Sequence, residues 1–284
     1  MKSWLRRLRN FPVIWKIPLL LTVLLMVLGW MFNTPPGLLG KSDAVGYAVC
    51  HRIDLRSYHL GDRALPLCAR CTGMYLGACL GLGFQYLFNK RACGTPHWTI
   101  IALLGLFVIF FAVDGINSYL TFIPNFPHLY QPRNFLRLFT GTGMGIAISA
   151  ALYPAFNGTI WVNVSAKPGL SSFWQACGLI LAGIITDFLV ISENPLALYP
   201  LALISAGGVL LLLTMIYCMV WVILFNKENQ YEHAGQLVFP LVAGFGLALL
   251  QIILIDAGRY LLTGTWDGFH IGWLENQLFP LYHV

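Results

Sequence analysis

Hydrophobic positions in this chain come in long, nearly unbroken runs near residues 17–32, 72–88, 98–113, 136–155, 173–192, 199–225 and 237–257, with polar residues concentrated between them. Runs of this kind approach or exceed the length an α-helix needs to cross a hydrocarbon layer of about 30 Å. None alternates residue by residue as a membrane β-strand does, and lipid tolerates only helices and closed barrels, because it offers exposed backbone groups no partner. The pattern predicts an all-α fold, a polytopic integral membrane helical bundle of about seven transmembrane helices in contact with the lipid bilayer. Ser192-Glu193-Asn194-Pro195 separates the fifth and sixth runs and predicts a tight helical hairpin. Trp98, Trp174 and Trp221 fall near predicted helix ends, as interfacial aromatics should. Gly141, Gly143, Gly145, Gly178 and Gly183 mark places of close helix packing.

Composition agrees with this pattern. Hydrophobic residues make up 58% of the chain and charged residues 10%, with mean hydropathy +0.72, a balance that excludes a soluble globular domain. The net charge of +6 has no separate basic domain to carry it, so no nucleic acid is expected as a partner, and membrane topology accounts for it better. Lys2, Arg6, Arg7, Arg9 and Lys16 precede or open the first run, and no small-residue cleavage site comes before Asn33-Thr34-Pro35-Pro36. The first helix is therefore expected to be retained, with a cytoplasmic N-terminus. Loops at Lys90-Arg91, Lys167 and Lys227 then follow on the cytoplasmic side. The extracytoplasmic side receives residues 49–73, the segment 114–137, the turn at Glu193 and the tail with Asp267 and His270. Loop parity groups these segments on one face whichever way the chain is inserted. Asp187 and Asp256, near the ends of their helices, are expected to face the same pocket.

The densest polar stretch is Val49–Gly73, VCHRIDLRSYHLGDRALPLCARCTG, with three of the seven cysteines and two of the seven histidines. Pro66 precedes Cys68-Ala69-Arg70-Cys71 and an apolar run follows, so the second span is expected to start at or just before Cys68. Cysteines three apart share a helical face, and the positive end of a helix with an adjacent arginine favours the thiolate. Cys50, His51, His59, Cys68 and Cys71 form the pattern C-H-x7-H-x8-C-x2-C, which can supply a tetrahedral metal site, with zinc the first expectation and iron the second. Two other readings fit the same cysteines: thiol–disulfide exchange coupled to a membrane quinone, and a structural disulfide from Cys50 to Cys68 or Cys71. Cys79, Cys177 and Cys218 lie in apolar runs and read as buried small hydrophobes, while Cys93 reads as a free thiol on the opposite face.

Arginine in or beside a bilayer is costly unless paired or functional. Arg52 and Arg56 are four apart, as are Arg133 and Arg137, so each pair could share a helical face and clamp a phosphate or carboxylate. Asp54, Asp62 and Asp114 offer internal neutralisation instead. Asp114 can serve either as support for a ligating histidine or as counter-ion to Arg137. Arg52, Arg56, Arg70, Asp114, Asn134 and Arg137 are thus the candidates for holding an anionic or lipid-borne ligand or for supporting the cysteine site.

Cys50-His51-Arg52, Arg56-Ser57, His59, Gly61, the run Pro66 to Gly73 and Tyr75-Leu76-Gly77 together resemble the signature of a family of prokaryotic membrane proteins designated domain of unknown function 2085. Asp114-Gly115, with Asn134, Leu136-Arg137 and Thr140-Gly141, is similar to that family's second block. The resemblance extends to about Gly145, so residues 1–160 are expected to form a family-like core, and residues 161–284 to add transmembrane helices and a tail. It implies a helical membrane protein whose named positions act together, and it implies no reaction. Three function classes stand open: a metal-binding protein acting on an anionic or lipid-borne ligand, a membrane thiol–disulfide oxidoreductase, and a non-enzymatic subunit of a larger membrane complex. In the last, the C-terminal spans and the tail Trp266–Val284 would be the docking surface.

Overall fold

The computed structural model describes residues 13–121, 123 and 126–268; the basic residues before position 13 and His270 lie outside them. The helices, in chain order, are α1 (Val13–Asn33), α2 (Gly37–Val49), α3 (Ala69–Phe88), α4 (Trp98–Leu120), α5 (Asn134–Ile160), α6 (Phe173–Ile191), α7 (Pro195–Leu224) and α8 (Val238–Thr263). Two short strands, β1 (His59–Leu60) and β2 (Arg63–Ala64), form an antiparallel hairpin, and β3 (Ala92–Gly94) pairs in parallel with β4 (Ser165–Pro168). The molecule is a helical membrane bundle.

Six of these helices, α1 and α4 to α8, are long and apolar enough to cross a membrane. The remaining expected span is α3, which is long enough but more polar, carrying Arg70 near its start and Gln85 near its end. Its composition follows from its surroundings: Thr72, Leu76 and Gln85 are buried within the protein, and an enclosed helix needs less hydrocarbon than one facing lipid. By contrast, only 6% of the apolar window of α1 and 11% of that of α4 is buried inside the protein, so side chains such as Leu25, Phe32 and Ile109 face outward. α4 also runs about two turns beyond its apolar run, which brings Asp114, Asn117 and Ser118 into the helix, all buried.

α2 is an addition to the expected elements. At 13 residues it is too short to span a bilayer, and its buried face is built from small residues including Gly40, Ser42, Ala44 and Gly46. The predicted hairpin between α6 and α7 is present: Asn194 caps α7, its side chain accepting from the Leu196 amide at 3.0 Å, and Pro195 opens the helix where its missing N–H costs nothing.

The central seam runs between α3 and α5. A Cβ on Gly77 would collide with the Thr142 carbonyl, and one on Gly145 with the Met74 carbonyl, so the two backbones touch as small residues allow in membrane helices. Gln85 closes the far end of the seam, donating to the Gly81 and Ser149 carbonyls at 3.0 and 3.1 Å. α7 packs on the other side of α3, where Gly208 lies against Cys79 and Tyr75. Helices on both sides of residue 160 therefore share one bundle.

Polar contacts gather at its two ends. At one, β3 pairs with β4, Asn89 donates to Gly169 O at 3.0 Å, and Arg91 donates to Glu232 O at 2.6 Å while lying 4.2 Å over the Trp161 ring. At the other, residues 50–68 meet the ends of α4 and α8, the start of α5 and the turn at Glu193.

Candidate functional site

The site is assembled where α2 ends and α3 begins. Gly46 permits this meeting, because its Cα lies against the Pro66 peptide and a Cβ there would collide with the Pro66 carbonyl oxygen. Cys50 then closes α2 in extended conformation, its amide donating back to Gly46 O at 2.8 Å. Cys68 occupies the cap position of α3, and Cys71 falls in that helix's first turn. Arg259 of α8 holds the end of α2 in place: its guanidinium stacks 3.9 Å from the Tyr47 ring and donates to Tyr47 O at 2.6 Å and to Cys50 O at 2.8 Å.

These contacts bring the sulfur atoms of Cys50, Cys68 and Cys71 within 4.8 Å of one another. Cys50 and Cys68 are buried, Cys71 is half-buried, and all three are free thiols. Cys50 Sγ accepts from the Cys68 amide at 3.3 Å and the Arg52 amide at 3.5 Å. Arg52 reaches the second contact by adopting a left-handed backbone, φ 52°, which turns its N–H back toward the sulfur. Hydrogen bonds from the Cys68 and Cys71 thiols hold Cys50 well below the ordinary thiol range against the opposing effect of burial. Cys68 is pushed up, first because its thiol donates to Cys50. Cys50 is accordingly the thiol of the cluster that ionises first.

Of the two histidines expected near these sulfurs, neither is part of the cluster. His51 Nδ1 accepts from the Ile53 amide at 3.1 Å. Burial first, then the charges of Arg56, Arg70 and Arg137, lower its basicity against the opposing charge of Cys50. His59 stands apart on β1, its Nε2 3.0 Å from Asp54 Oδ1 and its amide donating to Glu193 Oε1 at 2.9 Å.

The arginines divide differently from their sequence spacing. Arg52 pairs with Asp43 of α2 at 2.9 Å and donates to Trp266 O at 3.1 Å, and Arg63 also pairs with Asp43. Arg56, 9% exposed, donates to Ser118 O at 3.2 Å. Arg70 is clamped by Asp114, donating through Nε at 3.2 Å and through Nη2 to the same carboxylate, and it reaches Ser118 Oγ at 3.0 Å. Asp114 is therefore counter-ion to Arg70, not Arg137, and its other oxygen accepts from the Tyr130 hydroxyl at 2.8 Å. Arg137, 7% exposed, donates to Asn134 Oδ1 at 2.8 Å, while Asn134 Nδ2 ties α5 to the Leu55 and Ser57 carbonyls at 3.2 and 3.3 Å. Arg133 is exposed at the start of α5. Burial first, then the neighbouring charges of Arg137 and Arg70, bring Arg56 down to about 10. Arg56, Arg70 and Arg137 thus lie in one electrostatic neighbourhood with His51 and Cys68.

Asp187 and Asp256 do not join this site. Asp187 accepts from the Thr142 hydroxyl at 2.6 Å between α5 and α6, and Asp256 accepts from Trp30 Nε1 at 3.4 Å between α1 and α8. Arg259, Ser118, Tyr130 and Gly46 are structural members of the site whose positions only the folded backbone reveals. Of these, Arg259 alone carried a signal, as an arginine just beyond the end of a predicted span; the structure extends that helix to Thr263 and brings Arg259 into it.

Fold and site together define a polytopic helical membrane protein with a polar, cysteine-bearing centre at one end of its bundle. The profile of the family described as predicted membrane protein (DUF2085) matches residues 50–151, a stretch that begins at Cys50 and includes every arginine and cysteine of the centre except Arg259. The chain belongs to this family of membrane proteins. It is 31% identical over 101 residues to an uncharacterized protein of Methanothermobacter thermautotrophicus, covering 36% of this chain and 81% of the relative. It is 29% identical over 117 residues to an uncharacterized protein of Methanocaldococcus jannaschii, covering 40% of this chain and 67% of that one. No solved structure matches the chain.

Proposed function

We propose that the protein is a membrane-embedded metal-binding protein in which Cys50, Cys68 and Cys71 hold one soft divalent cation, zinc before iron, beside a site for an anionic ligand bearing phosphate or carboxylate. The observation that carries this reading is the meeting of three free thiols, drawn from two helix ends, within 4.8 Å. Zinc–sulfur bonds near 2.3 Å in tetrahedral geometry put sulfur atoms roughly 3.8 Å apart, whereas a disulfide requires about 2.05 Å. Two backbone amides aimed at Cys50 Sγ suit a thiolate ligand and are of little use to a buried neutral thiol.

Three protein ligands leave a fourth position open, which is the arrangement of catalytic rather than structural zinc sites. When bound, the metal supplies Lewis acidity at that position. The protein's own groups prepare the surroundings. Arg259 and the Gly46–Pro66 contact fix Cys50 against α3, and the amino end of α3 favours the thiolates. Asp114 aims Arg70, and Asn134 aims Arg137, both within the electrostatic neighbourhood of His51. A phosphate or carboxylate entering this neighbourhood meets charge-assisted donors in a setting that excludes water. The basic amino end and the Lys/Arg loops at the opposite end support an extracytoplasmic position for the centre.

Metal analysis of protein purified in detergent is expected to find stoichiometric zinc that Cys50→Ser and Cys68→Ser each abolish. Absence of stoichiometric metal, with all three cysteines still thiol-reactive, contradicts the proposal. A Cys68–Cys71 pair that cycles between thiol and disulfide would favour the oxidoreductase reading instead.

A further inference from the structure

A second candidate site is lined by α4, α5 and α6 and by no cysteine. A cavity of about 610 Å³ opens between α4, α5 and α6, within the volume range of roughly 300–1,000 Å³ typical of small-molecule pockets. Its walls are largely hydrocarbon and aromatic, with Phe107 and Phe110 from α4, Phe139 from α5, and Tyr130 from the connecting segment. Asp187 of α6 stands in the wall, 1% exposed. Thr142 donates to its Oδ1 at 2.6 Å, but Oδ2 is buried without a hydrogen-bond partner, and no Lys, Arg or His among the described residues pairs with it. An acidic side chain inside a membrane bundle is expensive to keep and ordinarily marks a site with a partner.

The lining narrows what that partner can be. An inorganic cation such as calcium or magnesium needs about six or more oxygen ligands, and this wall offers one carboxylate, two threonine hydroxyls and one phenol. A neutral apolar molecule would fill the volume and leave Oδ2 unpaired. A lipophilic cation satisfies both parts of the wall: its charge pairs with the carboxylate in low dielectric, its hydrocarbon replaces lipid in the cavity, and the ring faces add cation–π attraction.

We propose that this cavity binds a lipophilic organic cation, such as an amine carrying a bulky apolar group, with Asp187 as its counter-ion. None of its wall residues is a cysteine of the cluster; Tyr130, whose hydroxyl donates to Asp114, is the wall residue it shares with the polar centre. The test uses the full-length protein in lipid nanodiscs with tetraphenylphosphonium as the probe and tetraphenylborate, of the same shape and opposite charge, as the control. Calorimetric titration is expected to show saturable binding of tetraphenylphosphonium and none of tetraphenylborate. Asp187→Asn should weaken the cation on the order of tenfold to a hundredfold, as truncating one member of a buried charge pair does. Ile184→Trp, which fills the cavity while leaving the carboxylate in place, should weaken it as well and keeps the proposal testable if Asp187→Asn does not fold. Failure of the wild-type protein to bind the cation saturably, equal binding of the two probes, or full affinity in Asp187→Asn would overturn it.

Discussion

Asp114 is 1% exposed and is engaged on both oxygens, by Arg70 on one and by the Tyr130 hydroxyl on the other. Its removal leaves the half-buried Arg70 guanidinium, 14% exposed, among other cations. We expect Asp114→Asn to destabilise the fold by about 3–5 kcal/mol, the usual consequence of breaking a buried ion pair from one side. Tyr130→Phe, which deletes one hydrogen bond to the same carboxylate, should cost only about 1 kcal/mol. Equilibrium unfolding in mixed detergent measures both, and equal small losses would mean that Arg70 is solvated rather than dependent on Asp114. Arg137 depends in the same way on Asn134. Asn134→Leu removes its acceptor and also frees the loop carbonyls of Leu55 and Ser57, so it should lower anion binding while leaving bound zinc unchanged, as read by calorimetry with inorganic phosphate and by metal analysis.

At the level of elements, the cysteine centre is a consequence of how closely α2 and α3 approach. Gly46→Ala places a methyl group where the Pro66 carbonyl oxygen lies and must push the two helix ends apart. We expect this variant to fold, because the α3–α5 seam is untouched, yet to lose its metal as Cys50 moves from Cys68; retention of full zinc occupancy would show that the Gly46 contact does not set the cluster. The long helices were readable in advance because lipid demands sustained apolar length of any helix that faces it, and only α3, enclosed by protein, departs from that composition. α2 escaped that reading. Its buried face mixes small and polar residues with Val45 and Tyr47, and its 13 residues are too few to span a bilayer. The C-x2-C half of the centre was readable from helical spacing alone. Cys50 joins it through α2 and through Arg259, some two hundred residues away in sequence, which no local pattern encodes. His59 looked equivalent to His51 by spacing, but the β1–β2 hairpin turns it toward Asp54 and Glu193. Arg52, Arg63 and Arg70 meet acids and Arg56 and Arg137 meet neutral oxygens, so the four-residue spacing of Arg52 and Arg56 did not survive: a left-handed residue and a short 3-10 turn separate their directions.

For the whole molecule, the two polar ends have different characters. One carries lysine-bearing loops held by β3–β4 pairing, and the other carries the cysteines, the buried arginines and Asp114. On the proposed orientation, positive-inside bias would put the first in the cytoplasm. In a background lacking Cys93, a membrane-impermeant maleimide should label Asp62→Cys, an exposed position in the β1–β2 turn, in intact cells, and should label exposed Lys90→Cys only after lysis. The reverse pattern would invert the molecule without altering the centre. That centre is most directly tested by zinc K-edge X-ray absorption on the purified protein. The account predicts three sulfur neighbours at about 2.3 Å and one oxygen or nitrogen at about 2.0 Å; zinc surrounded by oxygen and nitrogen alone would contradict it.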